Sequence, residues 1–70
     1  FKSSQTGRLF TGLHADSGVL VTVTNCVFEN AAINCGNTAV VVGNILKSTY
    51  AQNKTVTVAS PGVSANNLLI

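Results

Sequence analysis

Three runs of β-branched residues, cut apart by turn chemistry and free of helical period, narrow most sharply what this chain can fold into. The first is Val19-Leu20-Val21-Thr22-Val23-Thr24, the second Ala39-Val40-Val41-Val42, and the third Thr55-Val56-Thr57-Val58. Branching at Cβ restricts the side chain in a helix but packs well on a pleated surface, so each run reads as extended chain. In the first run Val19, Val21 and Val23 alternate with Thr22 and Thr24, and in the third Val56 and Val58 alternate with Thr55 and Thr57. That period of two describes strands with one buried and one polar face. The middle run does not alternate and reads as a strand covered on both faces. A helix over 38–51 is disfavoured by the same Val run and by Gly43.

The punctuation is equally regular. Asp16-Ser17-Gly18 precedes the first run, Asn34-Cys35-Gly36-Asn37 the second, and Ser60-Pro61-Gly62 follows the third. Asn and Gly tolerate positive φ and Pro presets a turn's first corner. The polar opening, Phe1 to Thr6, reads as an arm, which divides the chain into an N-terminal arm and turn (1–17) and a single β-rich module (18–70).

Seventy residues are few for a self-sufficient core, since domains of this size usually add disulfides, metals or partners. Only two cysteines, Cys26 and Cys35, are present. A bridge between them would close a short loop, contributing about 2–3 kcal/mol in the chain-entropy model; two free buried thiols are the equal alternative. Charged residues are only 9% of the chain. Lys2, Arg8, Lys47 and Lys54 are scattered and form no cluster that could displace counterions from phosphate, which argues against nucleic acid as a partner. No apolar run approaches the roughly 18 residues of a membrane-spanning helix.

A loose internal repeat follows from aligning Val23-Thr24-Asn25-Cys26-Val27-Phe28 with Val42-Gly43-Asn44-Ile45-Leu46-Lys47 and with Ala65-Asn66-Asn67-Leu68-Leu69-Ile70. Asn25, Asn44 and Asn67 fall in one column, about 19 and 23 positions apart. Cys26, Ile45 and Leu68 form an apolar column just after it, and Val21, Val40 and Val63 a second one four positions before it. These segments resemble coils of the right-handed parallel β-helix of pectin-lyase-like proteins and bacteriophage tailspikes, over about residues 18–70. The resemblance implies stacked Asn amides that hydrogen-bond from coil to coil. Three coils are a minimum for a continuous core, so such a piece is expected to belong to a longer chain, or to stack or trimerise with copies of itself. A shorter stretch, Cys35-Gly36-Asn37-Thr38 with Val41, Val42 and Gly43 following, is similar to the core segment of chaplins, surface-active proteins of bacterial aerial filaments. Chaplins would lead one to expect a second cysteine downstream of Cys35, and Cys26 lies upstream instead.

Chemistry-bearing residues are sparse. Asp16 and Glu29 are the only carboxylates, and a pair roughly 5–9 Å apart would be needed to cleave a glycosidic bond. Asp16 opens a turn, where its side chain can accept from backbone amides, and Glu29 sits at a solvated strand end, so both read as structural. His14 stands near Asp16, but no nucleophile-elbow pattern accompanies it. One His and two Cys match no structural zinc spacing. Gly36, Gly43 and Gly62 build no phosphate loop. Asn53-Lys54-Thr55 fits the glycosylation acceptor pattern, and Tyr50, beside Gln52 and Asn53, reads as a loop residue capping the core edge.

The expectation is therefore an all-β fold, a short parallel β-solenoid or other small β-sheet module completed by neighbouring copies. Its predicted core or interface residues are Val21, Val23, Cys26, Val40, Val42, Ile45, Val56, Val58, Val63 and Leu68. The function expected is that of a non-catalytic structural module, without cofactor, in an assembly outside the cell or on a virion or cell surface. Its partners would be copies of itself in a trimer or filament, with surface polysaccharide as a further ligand. The alternatives are a glycan-binding or glycan-cleaving segment, or a surface-active film former.

Overall fold

The structure, a computed structural model, describes residues 1–70. Nine short strands follow one another around a solenoid: β1 (Thr11–Ala15), β2 (Val21–Thr24), β3 (Val27–Glu29), β4 (Ala32–Cys35), β5 (Ala39–Val42), β6 (Ile45–Lys47), β7 (Val56–Val58), β8 (Val63–Ala65) and β9 (Leu68–Leu69). Every third strand stacks on the one before it, giving three parallel sheets, β1-β4-β7, β2-β5-β8 and β3-β6-β9. Each coil thus contributes one strand to each sheet, and the chain makes three coils. Two coil lengths occur, 18 residues from Cys26 to its neighbour Asn44 and 23 from Asn44 to Asn67. The longer coil takes up its extra residues in the corner between β6 and β7, where Ala51–Lys54 form a 3-10 turn.

Alternation decides which side chains enter the solenoid. The inward residues stack in columns: Leu13 over Ile33 over Val56, Ala15 over Cys35 over Val58, and Phe28 over Leu46 over Leu69. Val21 stacks on Ala39, and Val23 on Val41 and then Ser64. The middle coil is roofed and floored by its neighbours. Ile33, Val41 and Leu46 are each 0% exposed. Burial of this kind stabilises by about 1.5–3 kcal/mol per large aliphatic side chain.

The sequence-based core needs correcting in several places. Val23 is buried, and Val21, Val56 and Val58 pack against the core from its margins. In the middle run, however, Val41 is the inward residue, and Val40 and Val42 lie half-buried on the outer face. No second layer covers that face, so the run alternates after all. Ile45 is likewise half-buried, with Leu46 inside. Cys26, Val63 and Leu68 are exposed and are not core residues. Nor is the first segment an arm apart from the rest. β1 pairs with β4, and the ring of Phe1 lies 6.0 Å from Phe28 and 6.1 Å from Phe10, so residues 1–17 pack into the same unit.

The aligned columns also shift by one residue between the first and second coils. Val27, not Cys26, pairs with Ile45, and Val21 pairs with Ala39, whereas Val40 with Val63 and Ile45 with Leu68 hold as aligned. The shift separates two roles at one corner. Asn25 (φ 54°), Gly43 (φ 72°) and Asn66 (φ 56°) are the residues in left-handed conformation, which Asn and Gly adopt at least cost. The next position carries the ladder: the side-chain amides of Asn44 and Asn67, with the Cys26 backbone N–H as the first partner.

Candidate assembly interface

The ladder joins the coils through side chains that each serve the coil before. Asn44 Oδ1 accepts from the Cys26 N–H at 2.9 Å, and Asn44 Nδ2 donates to the Val23 carbonyl at 2.9 Å. Asn67 repeats the pattern one coil on, accepting from the Asn44 N–H at 3.0 Å and donating to the Val41 carbonyl at 3.0 Å. Asn44 is 1% exposed, so these bonds replace water that the corner excludes. The expectation of stacked amides holds for Asn44 and Asn67, which also bond to each other at 3.0 Å. Asn25 belongs to the turn column instead.

The two ends of the solenoid differ. At the first-coil end, residues 1–3 run alongside β3: the Phe1 backbone nitrogen donates to the Val27 carbonyl at 2.7 Å, and Ser3 N–H donates to the Glu29 carbonyl at 2.9 Å. The phenyl rings of Phe1 and Phe10 cover the column headed by Phe28. A further clasp comes from Asn53, which is 0% exposed. Its Oδ1 accepts from Phe10 N–H at 2.8 Å, and its Nδ2 donates to the carbonyls of Gln5 at 3.1 Å and Arg8 at 2.9 Å. The Asn53 of the acceptor pattern therefore has a structural role in the fold.

Strands β7, β8 and β9 each have a neighbour on one side only. A recess of about 250 Å³ beside them is lined by Val56, Ser64, Ala65, Asn66, Asn67 and Leu69. Val63, Leu68, Leu69 and Ile70 are 46%, 54%, 49% and 56% exposed. No charged residue occurs from Thr55 to Ile70. Natural sheets commonly guard such edges with Lys or Pro within the strand, and here Pro61 stands outside β7 and β8.

The remaining polar groups do not converge. Asp16 Oδ1 bonds to the His14 ring at 2.9 Å on an exposed surface, taking the imidazole rather than the backbone amides expected of a turn aspartate. Glu29 ends β3, facing Lys2 at 3.2 Å. A separate cleft of about 220 Å³ is lined by Thr6, Glu29, Asn30, Lys47, Ser48 and Thr49, with Ile70 at its margin. It contains one carboxylate and excludes Asp16, so the two acids share no site. Ser48 Oγ donates to Asn30 Oδ1 at 2.9 Å, and Asn30 Nδ2 donates to the Ser3 carbonyl at 3.1 Å, holding the floor of the cleft. This network and the clasp by Asn53 were not read from the sequence; in a chain rich in Asn, only contact distinguishes a buried amide from a solvated one.

Both cysteines are free thiols, which corrects the possible bridge between them. Cys26 stands exposed at a corner, its Sγ bonded to the Thr24 carbonyl at 3.2 Å, and Cys35 points into the middle coil. Burial pushes the Cys35 thiol above its ordinary pKa, and a hydrogen bond with the Ala15 backbone opposes this in part. No three His, Cys, Asp or Glu side chains gather to hold a metal ion. No helix is long and apolar enough to cross a membrane. No protein-family model, characterised protein or solved structure matches the chain.

Proposed function

We propose that this chain is a non-catalytic structural module of an extracellular β-rich assembly, a spike, fibre or appendage, associating with neighbouring copies through strand edges. One observation carries the reading: the coils stack as three parallel sheets whose strands are rich in Val and Thr, with Lys47 the only lysine within a strand to guard an edge. In a lone soluble domain that edge is a liability; in an assembling module it is the place of contact. The three stacked coils are compatible with the tailspike-like and pectin-lyase-like β-helices that the sequence resembles, and those architectures motivate the placement outside the cell or on a virion surface.

A second reading rests on the polar cleft. Hydroxyls from Thr6 and Thr49 with Lys47 and Glu29 around a recess of about 220 Å³ offer the mix of donors and acceptors that suits one sugar unit. The cleft would make the chain a glycan-binding segment that does not cleave, since hydrolysis needs two positioned carboxylates.

Sedimentation velocity across a concentration series tests the first reading, which expects species larger than one chain whose stability changes little between low and high salt. A monomer at every concentration would refute it. Binding of bacterial polysaccharide abolished by Lys47→Ala, with the monomer intact, would favour the second.

A further inference from the structure

The inference here rests on the second reading, that the polar cleft takes one sugar unit, and adds the charge of that unit. We infer that the cleft selects a sugar bearing a single negative group, a carboxylate or a phosphate, with Lys47 as its counter-ion and the hydroxyls of Thr6 and Thr49 as its hydrogen-bonding partners. The groups invoked lie on β3, on β6 and on the segments beside them, and none belongs to the third coil.

The first observation is which polar groups of the cleft are already engaged. Ser48 Oγ donates to Asn30 Oδ1 at 2.9 Å and accepts from the Tyr50 N–H at 3.0 Å, while Asn30 Nδ2 donates to the Ser3 carbonyl at 3.1 Å. Those bonds shape the floor. Thr6 and Thr49 are exposed, and their hydroxyls make no hydrogen bond within the chain, unlike those of Thr38 and Thr55. They are free for a ligand.

The second observation is charge. Glu29 and Lys47 are register partners on neighbouring strands. Glu29 is engaged by Lys2 at 3.2 Å, and the other ion pair of the molecule joins His14 to Asp16, so Lys47 has no carboxylate of its own. The charges of Lys2, Glu29 and Lys47 sum to a surplus of one positive. A neutral sugar leaves the Lys47 ammonium to water, whereas a carboxylate or phosphate pairs with it. An exposed ion pair of this kind tightens binding by up to about fivefold, and salt screens it.

The third observation is how the two hydroxyls are held. Thr6 lies between Gln5 and Arg8, whose carbonyls accept from Asn53 Nδ2 at 3.1 and 2.9 Å, and the Gln5 N–H donates to Ser3 Oγ at 2.9 Å. Asn53 stands in the 3-10 turn that follows Thr49, so one strap fixes both walls. The recess of about 220 Å³ is smaller than the roughly 300–1,000 Å³ of sites for drug-sized ligands, and it admits one sugar unit at a time.

Titration of the full chain with glucose, glucuronate, glucose 6-phosphate and inorganic phosphate tests the proposal, followed by nuclear magnetic resonance at the amides of Thr6, Lys47 and Thr49. The expected result is saturable shifts with one or both anionic sugars binding about three- to fivefold more tightly than glucose at low salt. That gap should close in Lys47→Ala and persist in Lys54→Ala, a lysine outside the cleft, and Thr6→Val should weaken every sugar. Lys47 and Thr6 are exposed, so these variants keep the fold, which circular dichroism checks. Glucose binding as tightly as both anionic sugars would overturn the charge selection and leave the glycan reading standing. Inorganic phosphate binding as tightly as the sugars would overturn it in favour of an ion site. No shift at these amides with any sugar would overturn both readings of the cleft.

Discussion

Replacing Asn44 by Ala removes one side chain that holds two coils together. It leaves the Cys26 N–H and the Val23 carbonyl without their partner and takes one donor from Asn67 Oδ1. A buried polar group left unsatisfied costs about 1–3 kcal/mol. Water reaches the Cys26 side of the corner, so the two orphaned groups together should cost about 2–4 kcal/mol. Total stability at this size is on the order of 4–10 kcal/mol, so the loss should be plain in the midpoint of urea unfolding followed by far-ultraviolet circular dichroism. The comparison with Asn25 sharpens the test. Asn25 works through its backbone, at φ 54°, so Asn25→Gly should change stability by no more than about 0.5 kcal/mol, whereas Asn44→Gly should cost at least as much as Asn44→Ala. Asn67→Ala should cost less than Asn44→Ala, because Asn67 is only half-buried and water can substitute for part of its bonding. If Asn44→Ala costs under about 1 kcal/mol, or Asn25→Gly costs as much as it does, the separation of turn column from ladder column is wrong.

Other outcomes follow from single sites. Asn53→Ala should loosen residues 5–10 from the body, seen as faster tryptic cleavage after Arg8 with most of the amide-exchange protection of β5 and β6 retained. Gly36→Ala should destabilise by more than about 2 kcal/mol, since the added methyl would stand 2.5 Å from the Ser17 backbone nitrogen and 2.6 Å from the Asp16 carbonyl, neither of which can move alone. A thiol reagent at neutral pH should modify Cys26 at once and Cys35 only on unfolding, read by mass spectrometry. Because burial raises the folded pKa of Cys35, its thiol favours the fold fully below the unfolded value, and this contribution is lost as pH rises through and beyond 9.0. Cys35→Ala should flatten that alkaline decline.

Local chemistry in the sequence is enough to decide extended chain and its corners. Val21, Val23, Val56 and Val58 alternate with threonines, and their inward placement was legible because the period of two is unbroken there. Asn25, Gly43 and Asn66 mark turns because those residue types enter the left-handed region cheaply. What the sequence leaves open is what a period cannot encode. In Ala39-Val40-Val41-Val42 every residue is apolar, so only the stacking of β5 between β2 and β8 puts Val41 inside and Val40 outside. The strand β1 escaped notice because Thr11-Gly12-Leu13-His14-Ala15 has little β-branching, and it is held by pairing with β4. The one-residue slip of the aligned columns has the same origin. An Asn that bends the backbone and an Asn that bridges coils are the same letter, and only the neighbouring coil, through the Cys26 and Val23 backbone that Asn44 reaches, decides which role each plays.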